Sequence, residues 1–192
     1  MPRAQKGQIS VSNARTGFPG AAKVILETDR LWLREWTQKD FGPLSKILQD
    51  DDVMYAYEGA LSDAEVRDWL DRQLDNYMRL GFGLWAVLHK ETGEIIGQCG
   101  LTVQSIRDRQ VLEVGYQFQK AYWGYGYATE AAMACRDYAF DTLNANSVYA
   151  IIRDSNLASR NVALRMAMTR LDTLVKHYRG VDMPHDVYSM GR

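Results

Sequence analysis

The chain has 192 residues, 46% hydrophobic and 24% charged, a balance that suits one globular domain with a sizeable core and excludes a chain disordered throughout. Its formal net charge of −1 at pH 7 supplies no global field for nucleic acid or an anionic membrane. No apolar run is long enough to span a bilayer, and the basic N-terminus has no apolar stretch behind it, so neither a membrane span nor a secretory signal is expected.

Residues 1–22 are rich in Gly, Ser, Asn and Pro, with basic residues and no acid. They read as a flexible N-terminal arm, with an extra strand near residues 8–12 as the lesser alternative. The domain is expected over residues 23–192. Residues 30–36 alternate in polarity like a half-buried strand. Thr37-x-x-Asp40 opens a helix to about Leu48, capped by Thr37. Residues 54–61 are aromatic and irregular. Ser62-Asp63-Ala64-Glu65 is a capping box, and the helix it starts ends at Gly81. Residues 84–89, 95–103 and 112–119 form an antiparallel meander, with polar turns at 91–94 and 105–109. A glycine-rich turn then enters a helix over 127–140. On that helix Ala128, Ala131, Ala132, Cys135 and Ala139 keep to one face, small enough to let it approach a sheet closely. A strand at 147–153, a helix at 156–168 and two closing strands at 171–178 and 187–190 complete the chain. This order predicts an α+β fold around one twisted sheet. The two cysteines, Cys99 and Cys135, have no metal-type spacing, so a reduced, cytoplasmic protein without a metal is expected.

The chemical signal is Trp123-Gly124-Tyr125-Gly126-Tyr127-Ala128-Thr129-Glu130-Ala131. It follows a strand and opens a helix. Glycines let a ligand approach the main chain closely. The first N–H groups of a helix have no internal acceptor, and their partial positive charge favours a phosphate or pyrophosphate. A dinucleotide fold would place such a turn at the head of a βαβ series, whereas here a meander precedes it. A Walker lysine is also missing.

Three blocks in order, Leu26-Glu27-Thr28-Asp29-Arg30-Leu31-x-Leu33-Arg34, residues 123–131, and Asn156-Leu157-Ala158-Ser159-Arg160-Asn161-Val162, resemble the GNAT superfamily of N-acyltransferases. Within it they resemble the RimJ/RimL-like branch, whose founders acetylate ribosomal-protein N-termini. The resemblance runs from about Val24 to the C-terminus. It implies a single GNAT-like domain whose mixed, mostly antiparallel sheet is splayed in the middle, with helices on both faces. It implies acetyl-CoA as co-substrate, with the pyrophosphate held by backbone amides of Gly124, Tyr125, Gly126, Tyr127, Ala128 and Thr129. Trp123 stands where many members have Gln or Arg. The pantetheine arm would pair with the main chain of Tyr116, Gln117 and Phe118.

Acetyl transfer to an amine needs a positioned neutral amine, a proton acceptor and a stabilised leaving thiolate. The resemblance offers Glu113 as general base; the bland alternative is a structural acid paired with an arginine on a neighbouring strand. Asn156 would bond the pantetheine amide and Ser159 would assist the thiolate, although plain helix capping accounts for Asn156 equally well. Some relatives carry a tyrosine acid where this chain has Ala163, and Ala167 replaces a glycine usual near that helix end. The proton donor is therefore left between Ser159, a water and another tyrosine, with Tyr188 a candidate better read as packing. Tyr57 and Glu58 would wall the acceptor pocket, the acid drawing in a protonated amine, while core packing is the alternative for Tyr57. His177 and His185 make no metal site, though His185 could line the acceptor cleft. Cys135 reads as a small hydrophobe. The expected activity is acetyl transfer to a primary amine, either a peptide N-terminus or a small amine, in a ternary complex. The rival is a GNAT-like module that binds CoA for sensing or scaffolding. Exposed strand edges near the C-terminus make a homodimer plausible.

Overall fold

The computed structural model describes residues 22–57, 59–178 and 180–192. The expected N-terminal arm, and the alternative strand within it, lie outside these residues but for Ala22. The first hairpin pairs β1 (Val24–Glu27) with β2 (Leu31–Arg34). A single 3-10 turn, Gln38–Asp40, leads into α1 (Phe41–Leu48). Then come the short α2 (Asp51–Met54), a 3-10 turn at Tyr55–Tyr57, and α3 (Asp63–Leu80). The meander is β3 (Leu84–His89), β4 (Ile95–Ile106) and β5 (Arg109–Phe118). It is followed by α4 (Tyr127–Asp141), β6 (Ser147–Arg153), α5 (Leu157–Arg165), β7 (Thr169–Tyr178) and β8 (Val181–Gly191).

All eight strands share one sheet in the order β1-β2-β3-β4-β5-β6-β8-β7. Side-chain alternation decides which helix covers which face. On β3, Trp85 and Val87 join a core with Leu31, Leu33 and the buried small residues of α4, while Ala86 and Leu88 join another with α1 and α3. Ala131, Ala132, Cys135 and Ala139 are wholly buried, so the small-residue face of α4 does meet the sheet. The expected helices on both faces are present.

The feature that shapes the cleft is the join between β5 and β6. β4 and β5 pair antiparallel from Gly97↔Phe118 to Ile106↔Arg109. β5 and β6 run parallel and meet at a single register position, Glu113↔Tyr149. Beyond Glu113 the strands diverge, as the expected splay requires. On the far side β8 lies between β6 and β7, antiparallel to both.

Several boundaries differ from the sequence reading. β1 is a strand of its own, because Thr28 closes the turn: its N–H donates to the carbonyl of Leu31 at 3.0 Å. The turn expected over 105–109 shrinks to Arg107 and Asp108, since Ser105 and Ile106 still pair and Arg107 alone takes a left-handed φ of 52°. β8 starts at Val181, well before residue 187, with Pro184 inside the strand opposite Val175. The last helix stops at Arg165, and Ala167 then adopts φ 63°. The N–H of Met168 reaches the carbonyl of Ala163 at 3.1 Å and that of Ala167 reaches Leu164 at 3.0 Å. This is the closing motif usually made with glycine, so the alanine keeps the turn at a conformational cost.

One buried pair ties β2 to the first helix. Arg34 meets Asp40 through two bonds of 2.8 Å, and Thr37 adds its N–H at 2.8 Å and its hydroxyl at 2.7 Å. Burial alone would raise the Asp40 pKa, but the Arg34 guanidinium and the Thr37 donors outweigh it and hold the carboxyl below its ordinary value. Folded-state depression of an acid adds stability above the unfolded pKa and loses it as pH falls through the folded one. Asp40→Asn is therefore expected to cost about 2 kcal/mol at pH 7. That gap should narrow below about pH 4, as read by urea unfolding at both pH values.

Candidate active site at the splayed strands

The strand-to-helix turn after β5 runs through a short 3-10 segment, Lys120–Tyr122, and then Trp123. Gly124 and Gly126 both take left-handed φ, 83° and 84°. That conformation is cheap for glycine and costly for a residue with a Cβ. Gly126 is the N-cap of α4, and no side chain caps this end. The helical ladder starts with the N–H of Glu130 on the carbonyl of Gly126 at 3.0 Å. The amides of Tyr127, Ala128 and Thr129 thus precede the ladder and open on a cavity of about 1010 Å³, which Gly124 and Gly126 also line. Tyr125 differs from the rest of the loop. It is 63% exposed, stacks on Tyr127, and does not line the cavity.

This mouth is braced from the turn between β1 and β2. The Glu130 carboxylate accepts the Thr28 hydroxyl at 2.6 Å, the Arg30 N–H at 3.0 Å and the Arg30 Nε at 2.7 Å. Arg30 also donates to the carbonyl of Tyr125 at 3.0 Å and lies 4.5 Å over the Tyr127 ring. Burial would raise the Glu130 pKa, yet the Thr28 and Arg30 donors lower it on balance. The acid in the first turn is thus charged but neutralised by Arg30, and the helix end keeps its pull on anions. The contact joins two blocks set far apart in the sequence. Trp123 adds a second brace, its Nε1 donating to the Phe118 carbonyl at 2.7 Å.

From this mouth the cavity follows the gap between β5 and β6. Glu113 sits where the strands last touch. Its carboxylate accepts the Thr102 hydroxyl at 3.1 Å and the main-chain N–H of Ile151 at 3.1 Å. Burial raises its pKa, opposed in part by the charge of Lys176 and by those donors. No arginine pairs with it among the described residues, so the structural ion pair weighed above is not found. The amide of Ile151 instead stitches β6 to β5 through this carboxylate.

Farther along, Asn156 caps α5, its side-chain oxygen accepting the N–H of Ser159 at 3.0 Å. The Tyr116 hydroxyl donates to the Ser159 carbonyl at 2.9 Å, and burial pushes that hydroxyl's pKa up. Tyr116, Gln117, Phe118, Asn156 and Ser159 all line the cavity. Gln117 is buried and accepts the amide of Gln98. Tyr57 lines the cavity at 40% exposure, while Glu58 lies outside the described residues. His185 also lines the cavity. It is buried, with Nδ1 donating to the Met183 carbonyl at 2.8 Å, and burial lowers its pKa. Arg153, which lines the cavity too, donates to the Tyr55 carbonyl at 2.8 Å.

Other candidates fall away from the cavity. Tyr188 is 3% exposed in the core. His177 pairs with Asp182 at 2.8 Å on the surface. Cys135 is buried with its sulfur 3.5 Å from that of Cys99. Ala163 is fully buried and offers no hydroxyl. Sequence reasoning missed Thr102, Arg153 and Lys176, which line the cavity. Their one signal is alternate spacing along strands, which every half-buried strand shares. The arrangement joins an anion-receptive helix mouth to a buried carboxylate in one continuous space, a layout able to hold a phosphorylated ligand and accept a proton.

The acetyltransferase (GNAT) domain family model matches residues 30–169. YkkB of Bacillus subtilis (strain 168) is 39% identical over 156 residues, covering 81% of this chain and 91% of the relative. The crystal structure of an acetyltransferase from Agrobacterium tumefaciens str. C58 superposes with a TM-score of 0.73 at 28% identity, covering 93% of this chain and 100% of that one. RimL, a ribosomal L7/L12 alpha-N-protein acetyltransferase solved in complex with coenzyme A, superposes with a TM-score of 0.73 at 16% identity, covering 88% and 98%, a likeness of fold.

Proposed function

The chain belongs to the acetyltransferase (GNAT) family, and from that membership we propose that it moves the acetyl group of acetyl-CoA to a primary amine by direct attack in a ternary complex. The observation that carries the reading is the uncapped mouth of α4, with two left-handed glycines before it and a large cavity in front of it. A pyrophosphate fits this mouth, because amides that precede the helical ladder supply donors and the helix dipole supplies charge.

On this reading the amides of residues 124–129 hold the pyrophosphate, and Arg30 and Glu130 keep them aimed. The pantetheine arm lies in the β5–β6 gap against the main chain of residues 116–118. Because Trp123 already occupies the Phe118 carbonyl, the remaining main-chain groups carry that pairing. Asn156 spends its oxygen on the cap, which leaves its NH₂ as the donor to the arm. When bound, acetyl-CoA supplies the activated acetyl thioester. Glu113 takes the proton of the attacking amine, directly or through water, and its raised pKa brings it nearer the working pH. As the new C–N bond forms, the C–S bond breaks, and Ser159 would assist the CoA thiolate that leaves. Tyr57 and Glu58 flank the acceptor. A RimJ/RimL-like placement follows from the three sequence blocks, and a peptide N-terminus or a small amine suits the cavity.

A second reading has one specific observation in its favour. Ala163 stands where some relatives carry an acid tyrosine, as a CoA-binding sensor or scaffold without turnover would allow. Incubating the protein with acetyl-CoA and a panel of peptides, polyamines, amino sugars and aminoglycosides separates the two. The enzyme reading expects thiol release that depends on an added amine. Tight CoA binding with no release across the panel would favour the module.

A further inference from the structure

The acceptor end of the cavity has a charge of its own. Across β6, β8 and β7, register places Arg153 opposite His185, and His185 opposite Leu174. Alternation then puts Arg153, His185 and Lys176 on one face, that of the cavity they line. Asp172, an acid of β7, is held by Arg107 at 2.6 Å. Arg153 is engaged with the Tyr55 carbonyl. Lys176 is half-buried and lines the cavity, and no hydrogen bond to it is found among the described residues. Its charge acts on Glu113 across the cavity, and with no closer partner it can also meet an anion that enters there. Of the acids near this face, Asp154 acts on His185, while Glu113 accepts from Thr102 and Ile151 and feels the Lys176 charge.

We propose that the acceptor amine also carries an anionic group, a carboxylate or a phosphate, and that Lys176 binds it beside Arg153 while the amine reaches toward Glu113. The proposal rests on the acetyltransferase reading and narrows its acceptor to an acidic amine, disfavouring polyamines and aminoglycosides. Lys176 is then a specificity-determining residue, and Arg153 holds the 55–57 wall against which the acceptor lies.

Matched acceptors test this: β-alanine against β-alaninamide, phosphoethanolamine against ethanolamine, and putrescine. Wild type is expected to favour the anionic member of each pair by about tenfold in kcat/KM, the worth of one partly screened ion pair. The carboxylate and phosphate pairs show which anion is preferred. In Lys176→Gln the ratio should fall to about one, Lys176→Arg should restore it, and Lys176→Glu should invert it. Parallel calorimetry on the CoA-saturated protein, with N-acetyl-β-alanine against N-acetyl-β-alaninamide, reads the same ratio without turnover. If no amine is acetylated but the binding ratio and its loss in Lys176→Gln hold, the acidic-ligand inference stands and the transferase reading fails. A preference for putrescine overturns the inference. So does a Lys176→Gln protein whose pH profile shifts equally for every acceptor with the ratio intact, because the lysine would then serve only the Glu113 carboxyl.

Discussion

Glu113→Gln is expected to lower kcat by about 10²- to 10³-fold while the dissociation constant for acetyl-CoA stays within about twofold. A glutamine keeps the shape and can still accept the N–H of Ile151, the bond that stitches β6 to β5 at their one register position. Stability is therefore retained, and proton acceptance is what disappears. The pH dependence has a definite sign. Burial raises the folded pKa of Glu113, so wild-type kcat/KM should rise as pH climbs through that value, and the rise should be missing in the variant. Linkage runs the other way. An acid whose pKa is higher folded than unfolded makes the protein less stable as pH rises between the two values. Glu113→Gln removes that penalty, so its unfolding midpoint at pH 7 should equal or exceed wild type. Full activity in the variant would leave Glu113 as a strand clamp only.

Gly126→Val should weaken CoA by about 30-fold and pantetheine by less than about twofold. A valine at φ 84° is forced into a conformation that branched side chains avoid, at about 1–2 kcal/mol or more. The loop relieves that strain by turning its amides away from the pyrophosphate. A steric clash is not the cause, since a Cβ at this position would stand 3.6 Å from the Arg30 guanidinium, an ordinary contact. Gly126→Ala should give a smaller loss, and Gly124→Val, with nothing within 4 Å of its Cβ, should act through backbone geometry alone. Equal losses for CoA and pantetheine would point to general damage instead. Calorimetric titration with both ligands makes the comparison.

The elements that were legible in the sequence are those whose signals are local. Leu84–His89 and Ser147–Arg153 are apolar strands with clear punctuation, and their observed bounds equal the expected ones. Ser62 and Gly81 bracket α3 as cap and left-handed stop. The start of β8 is hidden in the sequence because Asp182, Pro184 and Asp186 break the apolar pattern of a strand that pairs on both sides. Its insertion between β6 and β7 leaves no local mark, because strand order is a property of the packed sheet. The site divides the same way. Two glycines before a small-residue helix mark a phosphate-type mouth, so residues 123–129 could be named. The Thr28–Glu130 and Arg30–Glu130 bonds join residues that are remote in the chain, and only the fold shows why the first and second blocks belong together. Glu113 was legible as an acid within an apolar strand. Lys176 was not, because one lysine in an alternating strand looks like any solvent-facing charge until the register turns it inward.

Backbone amide resonances followed during titration with CoA, and separately with pantetheine, test the central claim most directly. The account predicts that Gly124, Gly126, Ala128 and Thr129 shift most with CoA and remain nearly still with the phosphate-free arm, whose shifts gather on residues 116–118. Saturable CoA binding that moves amides elsewhere and leaves those four unperturbed would contradict it.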